Sequence, residues 1–190
     1  MAIKERRARE RAEREQLIVR AARELAETEG WDAVTTRRLA ERIEYSQPVL
    51  YSHFAGKDAI VAAVAVEGCA ELAVRLRAAA ADLDDPRAAF AAVARAYLAF
   101  AAANPALYDA IFTMANPLPF GTPDAPAALH EAFAAIADPA TASATAAGLD
   151  PAGYTELAWS ALHGMATLAR GGRLRPELDA SRMAAFTAVF

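Results

Sequence analysis

The chain has 190 residues, 55% of them hydrophobic, with 20 Lys and Arg against 24 Asp and Glu; this fits one soluble globular unit or two small ones and excludes collagenous, fibrous and disordered classes. A single cysteine, Cys69, excludes a disulfide-stapled secreted scaffold and a thiolate zinc cluster, so a reducing cytoplasm is the expected location. The N-terminus is charged, and the longest uncharged stretches, such as 96–108 and 110–123, are too short to cross a bilayer as helices, so no membrane partner is expected.

Alanine fills about a quarter of the sequence, with Leu, Arg and Glu at many other positions, so helical propensity runs nearly throughout and strand signals are almost absent. A first helix is expected from about Arg9 to Glu29, presenting Ile18, Ala22 and Leu25 on one face, with Gly30 as a left-handed cap. Thr35 caps a short second helix through Ile43, and Ser46 caps a third that holds Pro48 in its first turn and ends by Phe54. Ala55-Gly56 breaks the chain before a long fourth helix from Lys57 to about Ala81, with Ile60, Val64, Leu72 and Leu76 along one face. A fifth spans Arg87 to Ala103, a sixth Leu107 to Met114, and Asn116 to Pro126 is a loop. A seventh runs from Ala127 to about Ala137 and continues past Pro139 toward Ala147; an eighth runs from Asp150-Pro151 to Arg170, and a ninth from Glu177 to Phe190. The fold class is all-α: three compact helices first, residues 1–56, followed by a larger helical bundle, residues 57–190, with about nine helices in all.

Charge divides along the same line. Residues 1–57 hold 12 basic and 10 acidic side chains, leaving 8 and 14 for residues 58–190. The first 23 residues are steeper, with Lys4, Arg6, Arg7, Arg9, Arg11, Arg14, Arg20 and Arg23 against Glu5, Glu10, Glu13 and Glu15. A basic head on an acidic body suits a polyanion. The head reads equally as a solvated helix of Glu–Arg pairs or as a minor-groove arm.

Two short helices at 36–43 and 47–54, joined by a turn, have the spacing of a helix-turn-helix. Tyr45 to Lys57 contains no acidic residue, and Ser46, Gln47, Pro48, Val49, Tyr51, Ser52, His53 and Lys57 offer short donors, an aromatic hydroxyl and a cation to phosphates and base edges. Phe54 reads as core of the three-helix unit, and Tyr51 has a body for the core and a tip for the groove.

The stretch LIVRAARELAETEGWDAVTTRRLAERIEYSQPVLYSHFAGKDAIVAAV resembles the N-terminal DNA-binding domain of TetR-type transcriptional regulators, most specifically over VLYSHFAGKDAI, Val49 to Ile60. The later AWSALHGMATL, Ala158 to Leu168, resembles the Trp-x-x-x-His-Gly signature of the C-terminal ligand domain in one TetR subgroup. The resemblance implies Thr36 and Arg37 near the phosphate backbone, Gln47, Pro48 and Val49 facing base edges, and Tyr51, His53 and Lys57 gripping phosphates. Two positions depart from the pattern: Glu44 stands where the turn usually holds Gly, and Arg38 where an acidic capping-box partner would help the second helix.

The second half carries no nucleotide-binding glycine pattern, no nucleophile elbow and no metal-ligand spacing, so neither an enzyme nor a cofactor is expected. Large side chains in an alanine background mark effector contacts instead: Tyr97, Phe100, Tyr108, Phe112, Phe133, Trp159 and His163, each of which reads otherwise as a core residue. Trp159 and His163 share a helix face four residues apart. Leu178, Met183, Phe186 and Phe190 would be costly in water, which points to a homodimer. The reading is a TetR-like repressor on a palindromic double-stranded DNA operator, released by a small, mostly apolar effector. A helical ligand carrier that has lost DNA binding is the alternative.

Overall fold

A computed structural model describes residues 2–115 and 117–190. Among these, every regular element is helical: α1 (Ala2–Glu29), α2 (Thr36–Arg42), α3 (Gln47–His53), α4 (Lys57–Ala80), α5 (Pro86–Ala103), α6 (Pro105–Phe112), α7 (Ala127–Ala146), α8 (Pro151–Arg170) and α9 (Asp179–Val189), with 3₁₀ turns at Trp31–Ala33 and Pro176–Leu178. The all-α expectation holds. No single helix among the described residues is long and apolar enough to cross a membrane.

The chain folds into two compact units, one of residues 1–68 and 104–122, the other of residues 69–103 and 123–190. These units divide α4 after Gly68 and place α6 with the N-terminal helices, a partition by contact that differs from the functional boundary drawn at residue 56.

In the first unit, Ile18, Ala22 and Leu25 of α1 are buried with Leu39 of α2, Leu50 of α3 and Ile60 and Val64 of α4. Thr35 caps α2 by accepting from the Arg38 N–H at 3.2 Å, a bond typically contributing about 1 kcal/mol. Arg38 compensates for the missing capping box by reaching back to α1, where it forks onto both oxygens of Glu29 at 2.8 and 2.9 Å. α1 begins seven residues earlier than its apolar pattern requires. The pairs Arg6–Glu10 and Arg11–Glu15 extend it past the core. Gly30 has φ 83° and ψ 163°, extended backbone of the glycine-only kind rather than a left-handed cap.

α6 starts two residues before the expected Leu107 because its N-terminus is capped from α1. The Glu27 carboxylate accepts from the N–H groups of Ala106 (3.1 Å) and Leu107 (2.9 Å), Arg23 donates to Asn104 at 2.9 Å, and the Trp31 indole donates to the Ala106 carbonyl at 2.8 Å. Between 112 and 127 no helix forms among the described residues; Asn116, the first residue of the expected loop, lies outside them.

In the second unit α5, α7 and α8 pack against one another, and α7 continues through Pro139 without a break. Asp150 caps α8 by accepting from Gly153 at 2.8 Å. The expected exposure of the α9 aromatics is corrected here. Phe186 is buried and Phe190 half-buried against Phe90 and Tyr154 of the same chain, and the Phe190 carbonyl accepts from Tyr154 and from Ser143. The uncovered apolar stripe lies instead on α8, where Leu157 (62% exposed) and Leu168 (40%) flank Ala161 and Gly164.

Candidate nucleic-acid interface and effector cluster

The turn between α2 and α3 is set by backbone geometry. The Tyr45 N–H bonds to the Ala40 carbonyl at 2.9 Å and the Glu44 N–H to the Glu41 carbonyl at 3.4 Å, the paired bonds of a Schellman cap with Glu44 in the left-handed position at φ 57°. The chain therefore makes the tight turn without the usual glycine. Ser46 occupies the N-cap of α3, yet its side chain makes no capping bond, and Pro48 sits in the first turn.

α3 buries Leu50 and leaves Gln47, Pro48, Val49, Tyr51 and Ser52 exposed with Ser46 before them. Tyr51 is 54% exposed, and its hydroxyl lies 3.4 Å from that of Thr36 on α2, which joins the two short helices at their outer edge. Arg37 is exposed and ion-paired with Glu41 at 2.9 Å, which holds its guanidinium above its ordinary pKa. Two expected phosphate contacts are engaged inside the unit. The His53 side chain is only 6% exposed, with Nδ1 3.2 Å from Glu15 of α1, and Lys57 Nζ donates to the Trp31 carbonyl at 2.5 Å. Both brace the acid-free face from behind. Glu15 and Trp31 carried no signal in the sequence, because they are 38 and 26 residues from their partners.

In the second unit, Trp159 joins two of the expected effector residues. Its Nε1 donates to the Tyr97 hydroxyl at 3.3 Å, and its ring meets Phe133 edge-on at 6.1 Å. Tyr97 and Phe100 are sealed in the core, and Arg75 lies over the Phe100 ring at 5.4 Å. His163, one turn beyond Trp159, is half-buried; burial, and after it Arg170, lowers its pKa. One turn before Trp159, Thr155 is buried with no hydrogen-bond partner for its hydroxyl among the described residues, a group that sequence reasoning missed. Tyr108 and Phe112 belong to the first unit and pair with each other, centroids 4.7 Å apart.

A cleft of about 420 Å³ opens elsewhere in the second unit, lined by Ala101, Met165, Ala166, Arg170, Arg182 and Met183 among others. It arises where alanines of α5 and α8 face α9, and none of the seven expected effector residues lines it. Cys69 is buried, and its thiol is pushed up to about 11 by desolvation, so it is no nucleophile at neutral pH. Among the described residues no group of three or more His, Cys, Asp or Glu is placed to hold a metal ion.

The family model for bacterial regulatory proteins of the tetR family matches residues 18–64, and that for the tetracyclin repressor-like C-terminal domain matches residues 90–189. The chain belongs to the TetR family. The TetR N-terminal match thus covers α2, α3 and the start of α4, and the C-terminal match reaches from α5 to α9. An uncharacterized HTH-type transcriptional regulator of Bacillus subtilis, YobS, is 33% identical over 96 residues, half of each chain, so the present chain spans half the length of that curated relative. A protein of unknown function from Rhodococcus sp. RHA1 superposes with TM-score 0.72 at 28% identity over 93% of this chain and 94% of its own. A TetR variant from Acinetobacter baumannii, solved in complex with minocycline, superposes with TM-score 0.55 at 26% identity over 90% and 88%.

Proposed function

We propose that this TetR-family protein is a homodimeric transcriptional repressor that holds a palindromic DNA operator and is released from it by a small, mostly apolar effector. It acts in the cytoplasm without a cofactor or a catalytic step. The observation that carries the reading is the acid-free outer face of α3, with Gln47, Pro48, Val49 and Tyr51 exposed and braced from behind by Leu50, His53 and Lys57. Residues 1–56 form the reading head, and residues 57–190 the effector and dimer domain. Gln47, Pro48 and Val49 meet base edges, while Ser46, Thr36, Arg37 and Tyr51 meet phosphates. His53 and Lys57 reach DNA only by exchanging their internal partners.

The effector belongs beside Trp159 and His163, in a Trp-x-x-x-His-Gly subgroup domain, with Phe133 at the edge and Tyr97 and Phe100 behind. The buried Thr155 hydroxyl, without a hydrogen-bond partner among the described residues, supports this placement, since an effector oxygen or nitrogen would satisfy it. The minocycline bound by the Acinetobacter relative supports a small-molecule effector. Coupling follows if the effector prefers a protomer pair whose heads no longer match the operator spacing.

The internal engagement of His53 and Lys57 favours one competing reading, a helical ligand carrier that no longer binds DNA. Selection of bound duplexes from a random pool, followed by footprinting, separates the two. The repressor enriches a palindrome with half-sites about 34–36 Å apart, and Gln47→Ala relaxes one position of it by about 1–3 kcal/mol. A carrier enriches nothing.

A further inference from the structure

The first half of α1 is not needed by the core, yet it is helical and strongly basic. On a regular helix, Lys4, Arg7, Arg11 and Arg14 fall within an arc of about 80°. The same arc, continued down the helix, carries Ile18, Ala22 and Leu25, which are buried in the first unit. One face of α1 therefore changes from apolar to cationic where the helix leaves the core. Arg9, Glu5 and Glu13 lie on the opposite side, while Arg6 and Glu10 lie on one flank, Glu10 about 40° beyond Arg14.

The cationic face is anchored beside the reading helix. Arg11 donates to the Ser52 carbonyl at the end of α3 at 3.2 Å, while its Nε pairs with Glu15, the carboxylate that also holds His53 of α3. Lys4, Arg7 and Arg14 are exposed and hold no ion pair among the described residues. A helix from residue 4 to residue 14 rises about 15 Å, the axial span of about four phosphates on one strand of B-DNA.

We propose that the Lys4–Arg7–Arg11–Arg14 face is a phosphate-binding strip, continuous with α3, which lies along the DNA backbone flanking the bases that α3 reads. Charge complementarity selects a polyanion, and the Arg11–Ser52 contact fixes where along the surface the strip begins. The strip adds affinity and footprint length without sequence information, since point cations on phosphates read no base edge. The proposal rests on the DNA-binding reading of α3.

The test compares the wild-type chain with a Lys4→Gln, Arg7→Gln, Arg14→Gln variant, Arg11 being left to hold α3. Glutamine keeps the helical propensity at exposed positions. The probe is a fluorescein-labelled, mixed-sequence 40-base-pair duplex titrated between 50 and 200 mM KCl. The expected result is a slope of log affinity against log salt shallower by about 2 to 3 per protomer, with an Arg6→Gln, Arg9→Gln control shifting it by less than about one. An unchanged slope overturns the proposal. So does a loss that the control reproduces, because net charge alone would then explain it. Duplexes selected from a random pool keep the two readings apart: the triple variant selects the wild-type sequence, whereas a wild-type protein that selects none defeats the reading of α3 and leaves the salt slope to decide the strip.

Discussion

Glu44 holds the turn on which the reading helix depends, in a backbone region that costs a side chain about 1 kcal/mol or more. Glycine relieves that strain but frees the unfolded chain, so the gain is partial. Glu44→Gly is expected to stabilise the protein by about 0.5–1 kcal/mol, read as a higher urea midpoint at unchanged slope. A lower midpoint would mean that the Glu44 side chain contributes more than the strain costs. The glycine-shaped position was legible through the resemblance, in whose pattern Gly usually holds the turn where Glu44 stands. The roles of His53 and Lys57 were not. Their spacing placed them on the functional helix-turn, but what each side chain touches is decided by Glu15 and the Trp31 carbonyl, and no local pattern announces a partner that far away.

Among the elements, α6 shows how a helix boundary comes to depend on distant chain. Apolar periodicity begins at Leu107, yet the helix begins at Pro105, because Glu27 of α1 supplies the acceptors that its first N–H groups need. The other side of α6 meets α4 at Gly68. A Cβ there would lie 2.5 Å from Leu107 Cδ1 and 2.9 Å from Ile111 Cδ1, both side chains being buried. Gly68→Ala sets a helix-propensity gain of up to about 1 kcal/mol against an overpacking cost of about 1–3 kcal/mol. Net destabilisation of about 1 kcal/mol is expected in chemical denaturation; a stabilised variant would show that Leu107 can turn aside freely. Gly68 sits inside a strongly helical run, so composition alone made it look incidental. Helices α2, α3 and α8 were legible almost to the residue, since each begins at a Thr, Ser or Asp before a polar-to-apolar change and ends at a local stop.

For the molecule as a whole, the proposed homodimer needs a face for its second copy. The apolar terminus first suggested α9, but its aromatics are largely covered by Phe90 and Tyr154 of their own chain, which leaves α8 as the better face. There Leu157, Ala161, Gly164 and Leu168 make one stripe with a small centre, and open space surrounds Gly164 where a Cβ would stand. Small residues between leucines let two such helices cross closely about a two-fold axis, burying all four leucines of the pair. Gly164→Glu tests this without endangering the protomer. In an isolated chain the new side chain reaches solvent and removes a helix-weakening glycine, so the melting temperature of the protomer does not fall. Across a two-fold axis it brings two carboxylates together in a closed apolar contact, at a cost of several kcal/mol. Light scattering is expected to report half the wild-type mass, and affinity for a full palindrome drops by about 10²–10⁴ while a single half-site is bound as before. A variant that keeps the dimer mass would place the interface elsewhere, and a wild-type protein of protomer mass would remove the need for a palindrome altogether.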